Sequence, residues 1–154
     1  PVIVSQQNKD ALEVIRKISA AKNAPLMVPD EVYENNIESG GSHFVYRNEH
    51  FTVPLIGKHQ SENATLAIEA THSFDSGISI DIIKKGLQKV NWRGRMEKVS
   101  ANPDCYYDVA HNPQSIDVAL STIESLYKNR PIGVMVLKEG KNISHISNLD
   151  IFFQ

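Results

Sequence analysis

The stretch from Cys105 to Pro113 constrains the fold more tightly than any other part of this sequence. The apolar run Cys105 to Val109 predicts a strand, and the periodic segment Gln114 to Lys128 predicts a helix directly after it. Between them, Asn112 offers a side-chain oxygen to cap the helix and Pro113 suits the first helical position, so ordinary capping rules define the turn. A further strand is predicted at Ile132 to Leu137. Strand, helix, strand in that order is a parallel crossover unit, the opening of a layered α/β domain. With about sixty residues and few strands, such a unit would leave a sheet edge and a face uncovered.

The earlier residues follow a different plan. Pro1-Val2-Ile3-Val4 predicts a short strand, and Ala11, Val14, Ile15, Ile18 and Ala21 then recur at helical spacing up to the breaker Asn23-Ala24-Pro25. His43 to Tyr46 and Phe51 to Leu55 flank the polar stretch Arg47 to His50, which predicts an antiparallel hairpin with a four-residue loop. Ala64, Ala67, Ile68 and Thr71 share a helical face over Ser61 to Phe74, and Ile83, Leu87 and Val90 do so over Ile80 to Val90. The period breaks at Asn91-Trp92-Arg93-Gly94-Arg95, and a strand is predicted at Met96 to Ser100. A domain boundary is expected at this break. Residues 1–91 would end one α/β domain with a small antiparallel sheet, 92–95 would link, and 96–154 would begin a second domain.

Composition narrows the class. Hydrophobic residues make up 41% of the 154 and charged residues 22%, an ordinary globular balance that excludes collagen-like, disordered and disulfide-scaffold chains. A net charge of -2 with scattered lysines and arginines supplies no basic block, so nucleic acid is not an expected partner. No apolar run approaches the roughly 20 residues that span a bilayer, so no membrane association is expected. The single cysteine, Cys105, is expected to be a buried small hydrophobe in a reducing compartment. The start at Pro1 shows neither signal peptide nor initiator methionine, so the chain reads as a cytoplasmic piece of a longer protein.

Capping leaves two residues of the turn unexplained. Asp108 and His111 are not needed to close it and would face the mouth of the sheet, where open α/β sheets bind ligands. An aspartate there can accept hydrogen bonds from ribose hydroxyls and a protonated histidine can bind a carboxylate; the alternative is a solvated turn. Three segments together resemble the folylpolyglutamate synthase and dihydrofolate synthase family, within the Mur-type ligases. Tyr107 to Pro113 is similar to its D-G/V-A-H-N-P signature, Leu55 to Ala64 to its L-x-G-x-H-Q-x-x-N-A, and Trp92 to Glu97 to its W-P-G-R-x-E.

The resemblance implies the tail of a Mur-ligase central ATPase domain followed by the start of a Rossmann-like C-terminal ligase domain. It implies ATP and magnesium as cofactors, and L-glutamate with folate or dihydropteroate as substrates of a monomeric full-length enzyme. By carry-over, Asn63 would hydrogen-bond the adenine, Arg95 would reach the phosphates, Asp108 would hold the ribose and His111 the incoming glutamate. Arg95 and His111 would be the catalytic pair. Another Mur-type ligase acting on a cell-wall precursor, or a non-catalytic nucleotide-binding fragment, are the competing expectations. Departures are informative too. Arg93 replaces the usual proline, which is expected to loosen the linker, and Leu137 to Ile143 lacks both aspartates of the family's L-x-D-K-D-I. No phosphate-binding loop or magnesium ligand set is present, and both are expected upstream. His43, His50, His59, His72 and His145 are expected to be solvated or core histidines without ligand spacing.

Overall fold

The computed structural model describes residues 1–136 and 138. Strand β1 (Val2–Ile3) is followed by helix α1 (Lys9–Ala21), which Asn8 caps by accepting from Ala11 N at 2.8 Å. The chain returns through β2 (Leu26–Met27), parallel to β1. Part of the apolar stripe predicted on α1 faces solvent, with Val14 and Ile18 more than half exposed.

The core lies one layer further on. Strands β3 (Tyr33–Glu38), β4 (Gly41–Tyr46) and β5 (Glu49–Val53) form an antiparallel sheet in that order. Phe44, Tyr46, Phe51 and Val53 point from it onto Ala64 and Ile68 of α2 (Lys58–Phe74) and Ile83 and Leu87 of α3 (Ile80–Leu87). Every second residue of β4, Ser42, Phe44 and Tyr46, is therefore buried, as the period of a half-covered strand requires. Burial of each such side chain contributes about 1.5–3 kcal/mol. Two polar groups sit inside this layer. Tyr46 donates its hydroxyl to Glu69 Oε1 at 2.7 Å, and Arg47 Nη1 lies 3.0 Å from the same oxygen. The tyrosine is pushed up to about 12 by burial first and by the glutamate second.

Two details depart from expectation. Tyr46 pairs directly with Glu49, so the hairpin turn has two residues, Arg47 and Asn48, rather than four. Both adopt positive φ, 50° and 64°, the geometry by which a two-residue turn follows the twist of its strands. Strand β3 was not expected at all. Its sequence Tyr-Glu-Asn-Asn-Ile-Glu is polar because it is an edge strand with only Asn35 and Ile37 half covered, and Ser61 of α2 ties it down by donating to Asn35 Oδ1 at 2.8 Å.

The last part differs most. Strands β6 (Glu97–Ala101) and β7 (Asp104–Tyr107) form a two-stranded antiparallel ribbon, and α4 (Pro113–Leu126) follows β7 as predicted. Residues Ile132 to Val136, expected as a strand, lie in no strand, and Ile132, Val134 and Val136 are almost fully exposed. Among the described residues β7 hydrogen-bonds only to β6, and its other edge carries no parallel strand. Leu137 and the loop beyond Lys138 lie outside the described residues. Cys105 is exposed, not buried, because among the described residues nothing packs over its face of the ribbon.

Candidate functional site

The turn after β7 is built as capping rules dictate. Asn112 Oδ1 accepts from Ser115 N at 2.9 Å, Ser115 Oγ accepts from Asn112 N at 3.2 Å, and Pro113 occupies the first turn. His111 Nδ1 lies 3.1 Å from the Val109 carbonyl, which can only accept, so this nitrogen carries the proton and Nε2 is left for a ligand.

Asp108 corrects one expectation, since it does close the turn. Its Oδ1 accepts from Ala110 N at 2.7 Å, while Oδ2 reaches across to accept from Met96 N at 2.8 Å. The second bond explains the Trp92 to Glu97 segment. Gly94 N donates to Glu97 Oε2 at 2.8 Å, and Gly94 accepts from Val109 N at 3.0 Å. Arg95 is thus held between two pinned neighbours, the Gly94 amide on Glu97 and the Met96 amide on Asp108. Arg93, in the usual place of proline, puts its Nε 3.2 Å from Glu97 Oε1. The Gly94 amide, with help from Arg93, holds the Glu97 carboxyl below its ordinary pKa. Arg95 itself is exposed and makes no hydrogen bond or ion pair with the described residues.

A third segment closes the site from the other side. Ser42, fully buried, donates to the Leu55 carbonyl at 2.7 Å and accepts from Gly57 N at 3.2 Å, which fixes the chain entering α2. Gly57 has φ 127°, and a Cβ there would lie 2.6 Å from His59 Cε1 and 3.2 Å from Thr122 Oγ1 of α4. The absent side chain is what lets the His59 ring lie flat against the backbone. Helix α2 starts three residues earlier than expected, so Asn63 lies in its second turn, exposed, with Nδ2 3.4 Å from Gln60 Oε1.

All four residues singled out in the sequence, Asn63, Arg95, Asp108 and His111, line one cleft of about 770 Å3. Leu55, Val90 and Val118 give it apolar walls. Such a volume matches clefts that take nucleotide-sized ligands, roughly 300–1,000 Å3. An unpaired guanidinium, an exposed amide and an imidazole against an apolar wall suit a ligand with an anionic end and a flat heterocyclic end. His59 also lines the cleft, contrary to its assignment as a solvated or core histidine. Burial holds its pKa below 6.5, with Asp108 and Glu62 raising it and Arg95 lowering it. Its place one turn before Asn63 in the same motif was the signal that could have marked it. Among the described residues, no group of three histidine, cysteine, aspartate or glutamate side chains is placed to hold a metal ion.

No family model matches the chain. Its homologues are nonetheless ligases of one broad kind, folylpolyglutamate and dihydrofolate synthases together with Mur ligases. The chain is 28% identical over 147 residues to the dihydrofolate synthase/folylpolyglutamate synthase of Bacillus subtilis, covering 88% of this chain and 34% of that protein. It is 34% identical over 93 residues to the UDP-N-acetylmuramyl-tripeptide synthetase of Lacticaseibacillus paracasei, covering 59% of this chain and 18% of that one. Among solved structures, a folylpolyglutamate synthase in complex with AMPPCP and folate superposes with a TM-score of 0.85 at 21% identity, over 100% of this chain and 41% of that chain. The α/β fold is therefore that of folylpolyglutamate synthases over this stretch.

Proposed function

We propose that this chain is part of an ATP-dependent carboxylate-amine ligase that adds L-glutamate to folate or dihydropteroate through an acyl phosphate. In this reading residues 1–91 end the central ATPase domain, 92–95 link, and 96–154 begin the glutamate-binding domain. The observation that carries it is the convergence of Asn63, Arg95, Asp108 and His111, from three separate sequence motifs, on one cleft. The apolar wall, the amide of Asn63 and the unpaired charge of Arg95 fit a bound nucleotide. ATP would supply the phosphoryl group that turns a carboxylate oxygen into a leaving group. Arg95, whose backbone is held on both sides by the Gly94 and Met96 amides, would offer its fork to phosphate oxygens. Asp108 retains lone pairs for ribose hydroxyls beyond its two backbone bonds, and His111, in its doubly protonated form, would donate from Nε2 to the incoming glutamate carboxylate while Nδ1 stays on the Val109 carbonyl. In this reading the magnesium ligands would lie elsewhere in the full-length protein.

The likeness to a cell-wall tripeptide synthetase supports a second reading, in which the acceptor is a cell-wall precursor. Glutamate-dependent phosphate release by the full-length protein, with folate, dihydropteroate or a UDP-linked muramyl peptide as acceptor, separates the two. Turnover is expected with a pterin-containing acceptor, falling about a hundredfold in kcat for Arg95→Ala, the loss of one transition-state oxyanion contact. Turnover with the muramyl peptide alone would overturn the folate reading. The 154-residue chain by itself is expected to show no ATP hydrolysis, and hydrolysis surviving repeated purification would contradict this.

A further inference from the structure

Three side chains in the first two turns of α2 form a line of which the proposed reaction uses only the last, Asn63. Gln60, almost fully buried, places its Nε2 at 2.9 Å from His59 Nε2 and its Oε1 at 3.4 Å from Asn63 Nδ2. An amide nitrogen only donates, so His59 Nε2 must accept here and the ring proton sits on Nδ1. That Nδ1 is buried against Gly57 with no hydrogen-bond partner. The Gln60 amide, nitrogen toward His59 and oxygen toward Asn63, sets the sense of the line. His59 accepts, Gln60 therefore turns its oxygen to Asn63, and Asn63 turns its nitrogen inward and leaves Oδ1 toward the cleft.

We infer that His59 and Gln60 are positioning residues that fix which way round the Asn63 amide faces and so select a 6-amino over a 6-keto purine nucleotide. The inference rests on the reading of the cleft as a nucleotide site with Asn63 at the base. An amide with its oxygen presented accepts from an exocyclic amino group and opposes a keto oxygen; reversed, it does the opposite. Discrimination by a polar group left unpaired against the wrong partner is the strong kind. With the relay unsupported, the amide turns to suit either base. The opposite tautomer would reverse all three residues together, so the His59 ring and the Asn63 amide stand or fall as one arrangement.

Two measurements test this. In the 154-residue chain, nitrogen-15 spectra of the His59 ring at pH 7.5 should show the Nδ1–H tautomer; an Nε2–H ring would overturn the relay whatever the protein binds. In the full-length enzyme, kcat/KM with ATP over that with GTP should fall at least tenfold in His59→Phe, which keeps a flat ring over Gly57 but removes the acceptor. Gln60→Glu, whose carboxylate still accepts from Asn63, should keep the wild-type ratio. Parallel losses with both nucleotides in His59→Phe would show a merely structural role and overturn the inference. A wild-type enzyme that uses neither nucleotide would overturn the nucleotide-site reading, and the inference with it, even with the tautomer as expected.

Discussion

Gly94 shows how one residue constrains the site. Its φ is 70°, and a Cβ there would lie 2.7 Å from Val109 Cγ1. Gly94→Ala combines left-handed strain of about 1–2 kcal/mol with overpacking of about 1–3 kcal/mol, so an overall loss of about 2–5 kcal/mol is expected. Urea unfolding checks it, and a wild-type midpoint would show that the loop yields freely. His59 constrains the pH response. Burial holds its folded pKa below the value of 6.5 it regains on unfolding, so the unfolded chain binds more protons in between. Stability is then complete above about pH 6.5 and is lost as the pH falls below it. His59→Phe should flatten that limb of a stability profile. The steeper acid limb should remain, where Glu97 and Asp104, held below their ordinary values by the Gly94 amide and by Lys98, take up protons. A limb near pH 6 that persists unchanged in the variant would assign it to another histidine.

At the scale of elements, the hairpin and α2 are joined by a buried polar contact as well as by apolar packing. Tyr46→Phe removes the hydroxyl that donates to Glu69 and leaves a buried carboxylate oxygen to Arg47 alone. The expected cost is about 1–3 kcal/mol in chemical unfolding, and a neutral result would mean that water replaces the hydroxyl. The turn gives the opposite sign. Asn48→Gly relieves a positive φ of 64° and should raise stability by a few tenths to about 1 kcal/mol. Such elements also show what a sequence reveals. Helices α1 to α4 and strands β4 and β5 were legible because one face of each repeats its apolar residues at a fixed period. Strand β3 was not, since an edge strand held by Ser61 and Asn35 needs no apolar alternation. The run Ile132 to Val136 misled for the converse reason: β-branched residues favour a strand but cannot supply the neighbour it pairs with. In the site, Asn63, Arg95, Asp108 and His111 were recognisable through their motifs. The role of Asp108 in closing the turn and the relay from His59 depend on distances across the fold, which no local pattern encodes.

At the scale of the molecule, the cleft draws on α2, the 92–96 segment and the turn after β7, so its geometry depends on how these three regions meet. Under the proposed function, His111→Ala should mainly raise KM for glutamate and leave apparent ATP affinity nearly unchanged, whereas Asp108→Ala should weaken ATP. Kinetics with each substrate varied in turn would test this, and equal losses for ATP and glutamate in His111→Ala would sink the assignment of His111. The bond between Met96 and Asp108 carries a consequence of its own. Under the proposed function, a hydroxyl arriving at Asp108 would draw on the same carboxylate that pins the chain beside Arg95, so occupancy at one end of the cleft should alter the tension on the arginine at the other. By reciprocity, whatever Arg95 grips should change how firmly Asp108 holds its own guest. Position 108 is therefore a transmission point as much as a contact, and the two ends of a bound molecule should sense each other through the protein as well as through their own covalent bonds.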